Sequence, residues 1–203
     1  VVTLARAMLL VASIAADADA QATAPSHGDS GTASAVASPS ADSLGLAAAT
    51  TWLVDSLPRV GSFTLHDQLA GQPMPVTDRA VSDVHLEPCT ISWLVTTASA
   101  GDTSRVRMTV AMVAIDPSLV AAKPRDSVRT AHGWLVHAPA LWEVTASTRD
   151  GSRPQELENL GTKTRLALPA VALFVVRRDD AWRTAAAIAS LSRACQHAGA
   201  ATR

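Results

Sequence analysis

Along this chain hydrophobic and polar positions alternate in two different rhythms, and the changes of rhythm mark its elements. In the run LAAATTWLVDSLPRV, Leu46, Ala49, Leu53 and Leu57 recur at helical spacing and Pro58 closes the pattern. That predicts a short amphipathic helix anchored by Trp52 and Leu53. A series of segments bounded by Gly, Pro and Asp follows, in which apolar and polar positions tend to alternate: SFTLHD, SDVHLE, CTISWLVTTA, SRVRMTVAMVAI, SVRTAHGWLVHA, LWEVTAST and TRLALPAVALFVV. Each predicts a strand, since side chains of an extended chain alternate between two faces. Residues 99–102, SAGD, read as a tight hairpin connection, Asp116-Pro117 as the end of a strand and Asp150-Gly151 as a second turn. The following GSRPQELENLGTK reads as a surface loop. The last run can be capped by Asp179 or Asp180 and places Ala181, Ala185, Ile188, Leu191 and Cys195 on one helical face, with Gly199 as its expected stop.

Consecutive strands without helices between them imply an antiparallel sheet, and helices at either end must cover its apolar face. The expected class is therefore α+β: a short N-terminal helix, about seven antiparallel strands in a bent sheet or partial barrel, and a C-terminal helix as cap. Hydrophobic residues at 48% and charged ones at 17% of 203 residues can supply one sizeable core.

Upstream of residue 45 the pattern changes again. Arg6 precedes an apolar segment over residues 7–16, too short to span a bilayer, and Ala18-Asp19-Ala20 is a small-x-small site of the kind signal peptidase accepts. Residues 1–20 are thus expected to be a secretory signal. Residues 21–44, rich in Ala, Ser, Thr, Pro and Gly without hydrophobic period, are expected to be a flexible linker. Residues 45–199 form the globular domain and 200–203 a tail. No cysteine follows the apolar segment to carry a lipid, and no other stretch has the length of a membrane span. The expected destination is periplasmic or extracellular, with no stable membrane insertion after cleavage. A formal net charge of −1 lacks the basic footprint of a nucleic-acid or anionic-membrane binder.

Candidate chemistry is sparse. Gly28-Asp29-Ser30-Gly31 matches the nucleophile motif of chymotrypsin-like proteases, but it lies in the linker, without a rigid turn, an oxyanion hole or an upstream His and Asp. His85, Glu87 and Cys89 would share one face of a regular strand and invite a zinc reading. Parity opposes it: before Pro88 the apolar members are Val84 and Leu86, and after it they are Cys89, Ile91, Trp93 and Val95. The phase shift requires a turn or bulge at Pro88, which sends His85 and Glu87 to solvent and Cys89 to the core. A zinc-deaminase pattern also fails, because Ser92 stands where its second cysteine should fall. Cys195 and His197 are two helical residues apart, about 200° around the axis, so they cannot complete a site. Two cysteines on the apolar faces of different elements, in a chain with an export signal, favour a Cys89–Cys195 disulfide, with buried free thiols as the competing reading.

Trp52-Leu53 in the opening helix, the cysteine that starts CTISW, DPSLV after a later strand and the terminal RRDDAWRTAAAIASLSRAC together resemble a loose group of uncharacterised exported bacterial domains with a pleckstrin-homology-like look. The resemblance spans about residues 46–199, rests on core and turn positions, and implies a fold without catalytic residues to transfer. Arg105 and Arg107 alternate outward from Val106, Met108, Val110 and Met112 and are candidate contacts for an anionic ligand, against the commoner role of a solvated strand face. His66, Asp67, His132 and His137 lie near expected strand ends, where binding loops often sit. Trp93, Trp134 and Trp182 fall among apolar residues as core members, and the absence of tyrosine removes phenolic acid/base chemistry. No catalytic, cofactor-binding or metal-binding set can be assembled. The expected function is a non-catalytic binding or protein-interaction module of the cell envelope, with an unknown envelope protein or small ligand as partner. The alternative is a hydrolase or other enzyme whose acid, Glu87, Glu143 or Asp67, meets a histidine only in the fold.

Overall fold

The computed structural model describes residues 45–65, 68–69, 72–73, 76–99, 101–129 and 135–201. The expected signal segment, the linker with Ser30, and His66, Asp67, His132 and Trp134 lie outside the described residues, as does the side chain of His137.

The chain opens with α1 (Leu46–Thr51), widens into a π-helical turn (Trp52–Ser56) and closes with α2 (Leu57–Val60). Ala49, Leu53, Leu57 and Val60 are buried along one side, as the spacing predicts. Three short strands follow, β1 (Phe63–Leu65), β2 (Gln68–Leu69) and β3 (Gln72–Pro73), then β4 (Thr77–Glu87), β5 (Thr90–Ser99), β6 (Asp102–Ala111), β7 (Ala121–Arg129), β8 (Leu135–Ser147), β9 (Gln155–Asn159), β10 (Arg165–Leu168) and β11 (Ala170–Val175). The terminal helix α3 spans Arg178–Ala201, passing through Gly199 rather than stopping there.

All described pairings are antiparallel. One sheet has the order β1-β4-β5-β6-β9-β10, the second β11-β8-β7, and β2 and β3 form a ribbon. The class is α+β, and the described residues place nine strands in two sheets that do not close into a barrel. The count exceeds seven for local reasons. Pro169 divides TRLALPAVALFVV, so that β10 ends the large sheet and β11 enters the small one. Proline has no backbone N–H to continue a ladder, and the chain changes sheets there. Within the expected surface loop, Gln155, Leu157 and Asn159 turn inward while Glu156 faces out, making β9 a strand whose inward residues are mostly polar.

β4 carries a bulge. Its pairing with β5 passes from Ser82↔Leu94 to His85↔Ser92, one residue more on β4 than on β5, and Asp83 takes φ 49°. An extra residue reverses the faces: Val81 is buried before it and Val84 and Leu86 pack against the core after it, while His85 and Glu87 are exposed. The two sheets and α1–α2 close one core, in which Ile91, Trp93, Val95, Val106, Met108, Val110 and Leu157 of the large sheet meet Val144, Ala146, Val171, Leu173 and Val175 of the small one. α3 adds Ala181, Ala185, Ile188, Leu191 and Cys195, the face its spacing predicts. At the centre, between Leu53, Trp93, Met112, Leu173 and Ile188, the remaining void measures about 10 Å³, enough for one water at most. Trp52 ties the two helical ends of the fold: its Nε1 donates to Thr184 Oγ1 at 3.1 Å, and the Arg183 guanidinium lies 5.6 Å from its ring centroid. No helix among the described residues is long and apolar enough to cross a membrane.

Candidate functional site

Pro88 and Cys89 are the two residues between the paired Glu87 and Thr90, so the phase change at Pro88 is a hairpin turn. Proline suits its first central position, and Cys89 occupies the second with φ 62°. The turn aims Cys89 at α3, where it is joined to Cys195 in a disulfide across a Cα separation of 5.4 Å. Cys89 is half-buried, and Cys195 is 4% exposed.

Both half-cystines reach the same loop. After β6 the chain leaves the sheet at Met112 in a 3₁₀ turn (Met112–Ala114), earlier than the apolar run MVAI suggested. The Met112 N–H donates to the Cys89 carbonyl at 2.9 Å. Beside Cys195, Gln196 Nε2 donates to the Ile115 carbonyl at 2.7 Å and reaches the Val113 carbonyl at 3.5 Å. Residues 112–115 are thus suspended between the two ends of the bridge.

The next residues build a clasp. Asp116 accepts from the Ser118 N–H at 2.9 Å and from Ser118 Oγ at 2.7 Å, capping a second 3₁₀ turn (Pro117–Leu119). Its other oxygen pairs with Arg149, whose Nη2 also donates to Ser118 Oγ at 3.2 Å. The Ser118 hydroxyl and N–H, aided by the Arg149 cation, hold the Asp116 carboxyl below its ordinary range, so it is a fixed anion at neutral pH. Together these elements wall an open groove of about 580 Å³, bordered by Val113, Pro117, Asp116, Arg149, Arg193 and Gln196. Val113 and Leu119 expose 49% and 44% of their surface beside the clasp.

The remaining polar groups do not converge on it. Arg105 is exposed and Arg107 half-buried on the outer face of β6, where Arg107 lies 4.0 Å from Asp83 and opposite Glu158 on β9. Arg165 extends the pattern to Glu156 and Glu158, giving a cross-strand lattice of alternating charge. Glu143, the buried acid of β8, is gripped by Arg125 Nε at 2.7 Å and Lys123 Nζ at 3.4 Å from β7. Arg79 lies on the same side of β4 as Val81, with its guanidinium 5.9 Å from the Phe63 ring centroid; burial lowers its pKa to about 10 and leaves it a cation at neutral pH. Among the described residues no cluster of three His, Cys, Asp or Glu side chains could hold a metal.

Sequence reasoning found the two cysteines and missed Gln196, Arg149 and Arg193. The available signal was modest. Asp116-Pro117-Ser118 has the composition of a capped turn, which marks the acid but not its cation. Arg149 stands two residues past the end of β8, in a stretch where an arginine reads as an ordinary solvated side chain. Comparison with protein-family models, curated proteins and solved structures finds no match to this chain.

Proposed function

We propose that this protein is an exported, non-catalytic binding module of the cell envelope that presents the groove beside its disulfide to a protein partner or small ligand. The observation that carries this reading is the clasp. Asp116 and Ser118 are joined by hydrogen bonds, and Arg149 pairs with Asp116 to brace the turn, with Val113 and Leu119 exposed on either side. Such a surface is pre-organised for recognition, which lessens the ordering cost of association. Its carboxylate is kept ionised and so is unsuited to donating a proton near neutral pH. The disulfide and the absence of a membrane-crossing helix among the described residues are compatible with export.

The test is capture from cell-envelope extract on the immobilised protein, in parallel with Val113→Asp and Arg149→Glu variants. A partner or ligand retained by the parent protein and lost by both variants is expected. Retention of nothing, or equal retention by the variants, would contradict the reading.

A further inference from the structure

We infer that the Cys89–Cys195 disulfide is a latch on this groove, and that its reduction loosens residues 112–115 and the end of α3 while the sheets stay folded. The inference rests on the groove being the binding surface only for its biological meaning, since the latch itself is a property of the bridge. The geometry is specific. One half-cystine supplies the carbonyl that receives the Met112 N–H, and the neighbour of the other supplies the amide that grips Ile115. Beyond this loop the chain is held independently, because the Asp116 N–H donates to the Ser147 carbonyl at 2.9 Å and Asp116 pairs with Arg149. Opening the bridge therefore removes the covalent tie between the two groups that hold residues 112–115, frees chiefly the exposed Val113 and its neighbour Ala114 while the Met112 and Ile115 side chains stay buried, and leaves the far end anchored on β8.

Access to the bridge is asymmetric. Cys89 is half-buried at a turn, whereas Cys195 is almost wholly enclosed by the core. A dithiol reductant accordingly attacks Sγ of Cys89 as a thiolate; the S–S bond breaks, and Cys195 leaves as a thiolate and takes up a proton. The second thiol of the reductant then attacks the mixed disulfide, closes the reductant's own disulfide and releases Cys89 as a thiol. Two electrons pass from the dithiol to the bridge. Once released, Cys89 is also free to leave a left-handed backbone conformation that non-glycine residues seldom occupy. Val113, already half exposed, would move with the loop, so the groove changes shape with the redox state.

Hydrogen exchange of the full chain decides this without any ligand. On reduction with dithiothreitol, amides of residues 112–115 and 192–198 should exchange about tenfold faster or more by opening locally, while β5 and β6 lose only the protection that the lower global stability removes and remain the slower set. In Gln196→Ala with the bridge intact, residues 112–115 alone should speed up. Loop amides that exchange no faster than those of β5 and β6 after reduction would make the bridge a global staple alone and overturn the latch. An unchanged loop in either sample would overturn it as well. Failure of the groove variants to lose a partner, with exchange behaving as expected, would instead count against the binding reading alone.

Discussion

Cys89 sits at a turn position that glycine or asparagine usually takes, with φ 62°, and Pro88 before it fixes the approach. The adjoining parity of apolar residues was legible: His85 and Glu87 face solvent, and Leu86 and Ile91 face the core. The bulge at Asp83 was not, because a single extra residue leaves no compositional mark; it is visible only when Val81 and Val84 are both seen to face inward. At this scale Asp116 carries a pH prediction. Its folded pKa is lowered, chiefly by Ser118, so its contribution to stability is complete above the ordinary aspartate pKa of about 3.9 and is lost as pH falls through the lower folded value. Denaturation midpoints measured from about pH 6 down to about pH 2 should fall more steeply for the parent protein than for Asp116→Asn. Parallel curves would show that the clasp contributes nothing in solution. Trp52→Phe should cost about 1 kcal/mol by losing its hydrogen bond to Thr184, as read from urea denaturation, and no change would mean that the bond is not made.

Between elements, the small sheet depends on a buried charge. Glu143 is 1% exposed, and Arg125 bonds it more closely than Lys123 does. Arg125→Ala should destabilise the fold by about 2–3 kcal/mol, because it leaves a buried carboxylate with only a 3.4 Å partner. Lys123→Ala, removing a side chain that is 43% exposed, should cost about 1 kcal/mol or less. Equal effects in urea denaturation would show that the two cations share Glu143. This pairing was illegible in the sequence, because β7 begins at Ala121, well ahead of Ser127, where the expected strand SVRTAHGWLVHA starts. Pro124 is tolerated because β7 is an edge strand. β9 was hidden for a related reason, since the inward positions Gln155 and Asn159 are polar and the segment reads as a surface loop, whereas the terminal helix, with Ala181, Ala185, Ile188, Leu191 and Cys195 on one face, was legible from its spacing.

At the scale of the molecule, the main core is closed by a bridge across a sequence separation of 106 residues. Closing a loop of that length stabilises by about 4–5 kcal/mol in the chain-entropy model. Reduction should therefore lower the melting temperature by on the order of 10 °C, and an unchanged melting curve would mean that the bridge does not constrain the unfolded chain. The fold class and both half-cystines could be read from periodicity and parity. The groove could not, because it is assembled from a loop, a strand end and a helix end far apart in the chain, and each of its residues is unremarkable where it stands. The shape of that groove depends on the state of the two cysteines. The most direct measurement is thiol titration of the protein purified without reductant, denatured without reductant and with free thiols blocked at once: no reactive thiol is expected, and finding both cysteines reactive would mean that the bridge does not form.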